Sequence, residues 1–269
     1  MKHTRKLAES IAERYAAHRN VQAVALAGSQ ASAQADASSD IDVYVYVTHP
    51  FTLEERKQIV GDGNRQEIGN NFWEPGDEWV DDESGLSADV MFRNVDWIEE
   101  QINRVIHDYQ ASVGYSTCFV YNVKNSEILF DRDGWFAELQ RKASAPYPIQ
   151  LKRSVVAKNY PILRNTISSY AHQIENAIRR DDLVSVNHRT AALLASYFDI
   201  LFALNGQLHP GEKRLIRLAE QLCPKLPLHF KAEVEQVLRS VSQPKQQLIP
   251  AIHDLMDSLY ALLRSEQLI

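Results

Sequence analysis

Asp40 and Asp42 stand one residue apart in GSQASAQADASSDIDVYVYV, residues 28 to 47, at the mouth of an apolar run. On a strand, alternate residues share a face, so the two carboxylates project together while Ile41 turns away. Neighbouring carboxylates resist joint ionisation, and a divalent cation offsets that cost. Asp89, within SADVMFRN (87–94), completes the set from a later strand. Three carboxylates converging from neighbouring strands suit Mg²⁺, a hard cation that takes carboxylate, phosphate and water oxygens. Upstream, Gly28 and Ser29 close the short apolar run VQAVALAG. Glycine there lets backbone approach a phosphate, and amides at a following helix start bind it together with the Ser hydroxyl. A pair of metal ions in such a place aligns a nucleoside triphosphate, activates an attacking hydroxyl and steadies the leaving group.

The elements that must hold these residues follow from periodicity. Residues 2 to 19 form a helix, with Leu7, Ile11 and Tyr15 at four-residue spacing. VQAVALAG (21–28), IDVYVYV (41–47) and SADVMFRN (87–94) are strands by composition and length. Thr52 is placed to cap a helix that begins LEERKQIV, and another helix runs from Asp96 to about Tyr109. Residues 61 to 86, with FWEPGDEWVDDESG at their centre, are expected to be a long functional loop. Its Trp73 and Trp79 either stack on a base or sugar or anchor the loop. TCFVYNV and EILFD are expected as two further short strands, before a helix from Trp135.

SAPYPIQ (144–150) is the linker, and helical patterns alone follow it. The longest, VSVNHRTAALLASYFDILFALN, is apolar nearly all round, as the centre of a bundle must be. Its Ser185, His188, Ser196 and Asp199 are expected to form a solvent or cleft stripe. Glu212, Lys213 and Arg214 open a helix after His209-Pro210-Gly211, where Lys213 would bring a cation to the triphosphate. The domains are therefore 1–143, mixed α/β, and 151–269, a helical bundle. The fold class is α+β.

Composition narrows the partners. The formal net charge is −6, but residues 1–143 carry 14 Lys+Arg against 24 Asp+Glu, whereas residues 144–269 carry 15 against 11. A nucleic-acid binder needs a basic surface, so nucleic acid is disfavoured as a partner. Cys118 and Cys223 lie far apart, without the spacing of a zinc site or a disulfide framework. The first residues lack the apolar core of a signal peptide, and no apolar run reaches the 18 or so residues of a membrane span. The expected location is cytoplasmic, without a membrane partner, and homodimerisation stays open.

The pattern Leu-Ala-Gly-Ser, ten residues, Asp-Ile-Asp-Val and then a distant strand Asp resembles the nucleotidyltransferase superfamily related to DNA polymerase β. Within it, the size and the helical C-terminal half resemble the antibiotic nucleotidyltransferases acting on aminoglycosides and lincosamides. The resemblance implies metal ligation by Asp40 and Asp42 and triphosphate contacts at Gly28 and Ser29. It implies that Asp89 is a third ligand or the general base for the acceptor hydroxyl. It implies Mg²⁺-dependent transfer of a nucleoside monophosphate from a triphosphate such as ATP to a small hydroxylated acceptor, with pyrophosphate released. Many relatives carry Arg or Gly shortly after the Gly-Ser, where this chain has Gln30-Ala31-Ser32-Ala33. Two other functions are compatible: an RNA-directed nucleotidyltransferase, and a nucleotidyltransferase-like binding module or antitoxin without catalysis. Six carboxylates between Glu74 and Glu83 are expected to wall a cationic or neutral acceptor between the two domains.

Overall fold

The computed structural model describes residues 2–27, 40–61, 63, 65–72 and 74–269. The chain divides into two compact units: Met1–Asn103 with Phe119–Ala145, and Arg104–Cys118 with Pro146–Ile269. Residues 104–118 thus cluster with the helical residues although they precede the last strand in sequence.

The first unit is built on a mixed sheet. Its elements are α1 (Lys2–Ala16), β1 (Val21–Leu26), β2 (Ile41–Val47), α2 (Leu53–Val60), β3 (Gln66–Asn70), β4 (Gly76–Val80) and β5 (Ser87–Asn94). There follow α3 (Val95–Ile106), α4 (Cys118–Asn125), β6 (Glu127–Asp131) and α5 (Trp135–Ala143). Among the described residues the sheet has six strands in the order β3-β4-β5-β2-β1-β6. β2 and β5 run parallel, and the other neighbours are antiparallel. The chain between β2 and β5, α2 and the β3–β4 hairpin, supplies the crossover that a parallel pair requires.

Alternation divides the residues of the sheet between its faces. Ile41, Val43, Val45 and Val47 of β2 join Ala88 and Val90 of β5 and Leu7, Ile11 and Tyr15 of α1 in one core. The i, i+4 spacing of those α1 residues lines up the stripe that covers this face. On the opposite face Tyr46 packs against Trp135 and Phe136 of α5, with ring centroids 5.6 and 4.8 Å away. α2 starts in a full capping box: Thr52 Oγ1 accepts from the Glu55 N–H, and the Thr52 N–H donates to Glu55 Oε2.

Two expectations fail here. Residues 61–86 are not one long loop, because β3 and β4 pair as a hairpin within them. The period-two signal in Gly76-Asp77-Glu78-Trp79-Val80 was hidden by Asp77, a charged residue on the buried side. Asp77 is 0% exposed and meets the Arg56 guanidinium at 2.6 Å. TCFVYNV is not a strand but the body of α4. Val120 and Val123 are buried one helical turn apart, and that packing overrides their β propensity.

The second unit is helical: α6 (Ile149–Arg164), α7 (Tyr170–Arg179), α8 (Leu183–Leu204), α9 (Leu215–Leu222), α10 (Phe230–Ser240) and α11 (Pro244–Ser265). Val186, Leu193, Tyr197 and Ile200 to Phe202 place α8 inside a single apolar cluster that draws on every other helix of the unit. The whole is of class α+β.

Candidate functional site

Register brings the sequence-derived aspartates together. Asp42 and Asp89 are direct partners across the parallel β2–β5 pair. Glu78 of β4 is the direct partner of Asp89 on its other side, and Glu67 of β3 is the partner of Glu78. Directly paired residues project to the same face, so Glu67, Glu78, Asp89 and Asp42 form one row across four strands. Asp40 is exposed immediately before β2. Asp42 and Asp89 are half-buried while Ile41, Val43, Ala88 and Val90 turn to the core, which is the alternation expected.

The electrostatics of the row follow from its make-up. Burial, then the charges of Glu78, Asp42, Asp40 and Glu74, push the Asp89 carboxyl up to about 6. The cation nearest in sequence does not relieve it. Arg93, two pleats along β5 and 4% exposed, holds Glu74 in a fork of two bonds at 2.8 Å. It also donates to Asn122 Oδ1 at 2.9 Å and lies over the Tyr44 ring at 3.7 Å. Asn70 Nδ2 donates to Glu78 Oε1 at 3.0 Å and steadies it.

Sequence reasoning placed Glu78 in a loop wall and missed it as a neighbour of Asp89. The alternation Asp77-Glu78-Trp79 was the available signal, legible once Asp77 is recognised as an inward residue. Other members of the expected acceptor wall do not serve as one. Asp77 is buried with Arg56 and also accepts from the Gly69 N–H at 2.8 Å. Glu74 is held by Arg93. Asp81 accepts from the backbone and hydroxyl of Ser84 at 2.8 and 2.6 Å, closing a turn. Trp79 is 8% exposed in the core and cannot stack on a ligand. Gly28, Ser29 and Trp73 lie outside the described residues.

Among the described residues no three His, Cys, Asp or Glu side chains close on a point that holds a metal ion. Asp42 and Asp89 together provide a pair of hard-oxygen donors. Mg²⁺ is commonly held by one or two carboxylates with substrate phosphates and water in the remaining positions. The donor chemistry therefore fits.

In the second unit, Lys213 is exposed with Glu212 and Arg214, ahead of α9 rather than in its first turn. The polar stripe expected on α8 is divided: His188 is exposed and Ser185 half-buried, whereas Ser196 and Asp199 are 0% and 2% exposed. Asp199 accepts from the Ser116 N–H at 3.0 Å, the Ser116 hydroxyl at 2.6 Å and Asn159 Nδ2 at 3.3 Å. Burial pushes its carboxyl up to about 6 against those bonds. His209 is fully buried, donates its backbone N–H to Thr117 Oγ1 at 2.7 Å, and accepts at Nδ1 from the Gly211 N–H at 3.2 Å. Burial lowers its imidazole to about 4. Cys118 Sγ lies 3.4 Å from the same Nδ1, but burial pushes the thiol up to about 12, so it is not an activated nucleophile. These groups pin the segment 112–118 to the helices.

Comparison with known proteins adds the following. A family model described as "Domain of unknown function (DUF4037)" matches residues 116–215, the stretch that contains the Ser116–Asp199 and Thr117–His209 contacts. No curated protein matches the chain. Among solved structures the chain is similar to a nucleotidyltransferase-like protein from Exiguobacterium sibiricum 255-15. The identity is 14% and the TM-score 0.45, over 94% of this chain and 72% of that one. Among the described residues no helix is long and apolar enough to cross a membrane.

Proposed function

We propose that the chain is a nucleotidyltransferase, moving a nucleoside monophosphate from a nucleoside triphosphate to a hydroxyl of a small acceptor. The observation that carries this reading is the direct pairing of Asp42 with Asp89 on the face of the sheet away from α1. Asp42 and Asp89 would hold Mg²⁺, with Asp40 as a further oxygen ligand from the approach to β2. The metal, when bound, supplies charge neutralisation for the triphosphate and the leaving pyrophosphate. Gly28 and Ser29, which follow Ala27 in sequence, would receive the phosphates through backbone N–H and hydroxyl donors. Asp89, whose carboxyl burial and the neighbouring carboxylates push up to about 6, would take the proton of the attacking hydroxyl.

The acceptor would meet an acidic edge, since Glu78 and Asp82 are exposed there. That favours an amine-bearing or neutral hydroxylated molecule over a nucleic-acid backbone. The test is a panel of four ribonucleoside triphosphates with Mg²⁺, scored by binding and by pyrophosphate release with hydroxylated acceptors. Metal-dependent binding of one triphosphate, lost in Asp42→Asn, is the expected result. Equal binding by wild type and Asp42→Asn would remove the metal site. Metal-dependent binding without release under any acceptor would favour a binding module over an enzyme.

A further inference from the structure

Behind the acidic row, on the same face of the sheet, stands a second row. Gly76, Met91, Tyr44 and Ala25 are direct partners across β4, β5, β2 and β1, so Met91 and Tyr44 project on the side of Asp89 and Asp42. Tyr44 and Met91 are half-buried, and their neighbours Gly76 and Ala25 add little bulk. Two residues further along, Arg93 of β5 and Tyr46 of β2 close the face: they are 4% and 0% exposed.

Tyr44 is held from one side. The Arg93 guanidinium lies over its ring at 3.7 Å, and the Tyr46 ring packs with its centroid 6.5 Å away, both from the C-terminal side of the parallel strands. Arg93 is itself fixed by Glu74 and Asn122, so the backing is rigid. The other side of the ring turns toward Asp42 and Asp89, which stand close enough for their charges to act on the phenol. Two residues of strand, about 6.6 Å, separate the two rows, and a planar group in contact with the ring at about 3.5–4 Å fits that interval. The face thus sets an aromatic wall beside a pair of carboxylates. A nucleoside triphosphate carries the matching features, a metal-binding phosphate chain and a base with a π face.

We propose that the Tyr44 ring, backed by Arg93, is the stacking platform for the nucleobase, with Met91 as apolar floor beside it. This rests on the nucleotidyltransferase reading of Asp42 and Asp89 and adds a base-binding subsite to it. Calorimetric titration of the full chain with the four ribonucleoside triphosphates and with inorganic tripolyphosphate, each with Mg²⁺, tests it. At least one nucleoside triphosphate should bind wild type more tightly than tripolyphosphate does. Tyr44→Ala should weaken that triphosphate by about fivefold to a hundredfold, as the loss of one base–aromatic stack implies, and leave tripolyphosphate within about twofold. Tyr44→Leu, which keeps apolar bulk without a ring, should lose as much, and Tyr44→Phe should retain wild-type affinity. Equal weakening of both ligands by Tyr44→Ala overturns the platform and makes Tyr44 a structural residue. Unchanged triphosphate binding in Tyr44→Ala and Tyr44→Leu overturns it as well. Tripolyphosphate bound as tightly as every triphosphate removes the subsite while the metal reading stands. Failure of wild type to bind any of these ligands with Mg²⁺ removes both.

Discussion

Asp89→Asn should stabilise the protein in the absence of metal. Asp89 is flanked in register by Asp42 on β2 and Glu78 on β4, so it takes part in two like-charge cross-strand pairs. Each such pair costs about 0.2–1 kcal/mol, and solvent screening at the half-exposed position holds the total to about 0.5–1.5 kcal/mol. The amide keeps the shape and the burial while removing the charge. For a chain of this size about 1 kcal/mol moves the melting temperature by about 2–4 °C, so a rise of about 1–6 °C is expected. Thermal denaturation followed by circular dichroism in EDTA at low salt reads it, and added salt should shrink the difference. With Mg²⁺ and triphosphate the order should reverse, because wild type gains from ligation and the variant gains less. A variant that melts lower than wild type in EDTA would refute the reasoning: Asp89 would then be held by favourable partners, not crowded by carboxylates.

The other expectations are equally direct. Asp77→Asn should cost about 3–5 kcal/mol, because it leaves the buried Arg56 guanidinium without its counter-charge; denaturant titration measures this, and a loss below about 1 kcal/mol would contradict the pairing. Asp199 and His209 should pull stability in opposite directions across the same acid range. The Asp199 carboxyl, raised from 3.8 to about 6, contributes stability that is complete below the lower value and lost as pH rises through the upper one. The His209 imidazole, lowered from 6.5 to about 4, contributes stability that is present above 6.5 and lost as pH falls through 4. Each effect is about 3 kcal/mol, so wild type should change little while Asp199→Asn becomes acid-labile and His209→Gln loses stability as pH rises; parallel slopes in melts from pH 4 to 7 would refute the pair. Neutralising Glu78 and Asp82 together should slow association of a cationic acceptor at low salt and flatten its salt dependence, with triphosphate affinity unchanged; an unaltered salt dependence would remove the acidic edge from recognition.

The sequence by itself determined what depends on local periodicity and local chemistry. The strands IDVYVYV and SADVMFRN, the helix capped by Thr52 and the buried α8 needed only alternation, a capping pattern and an apolar run. Asp42 and Asp89 stood out because each is a charge in a place that alternation gives to half-buried residues. What tertiary structure alone decided was pairing. Nothing local says that β2 lies beside β5, and that adjacency converts two aspartates 47 positions apart into cross-strand neighbours. The same holds for charges that turn inward. Asp77 and Asp199 read as solvent-facing by type, because a carboxylate is buried only when distant donors meet it. Those donors, Arg56 for the one and Ser116 with Asn159 for the other, come from segments that only the folded chain brings together.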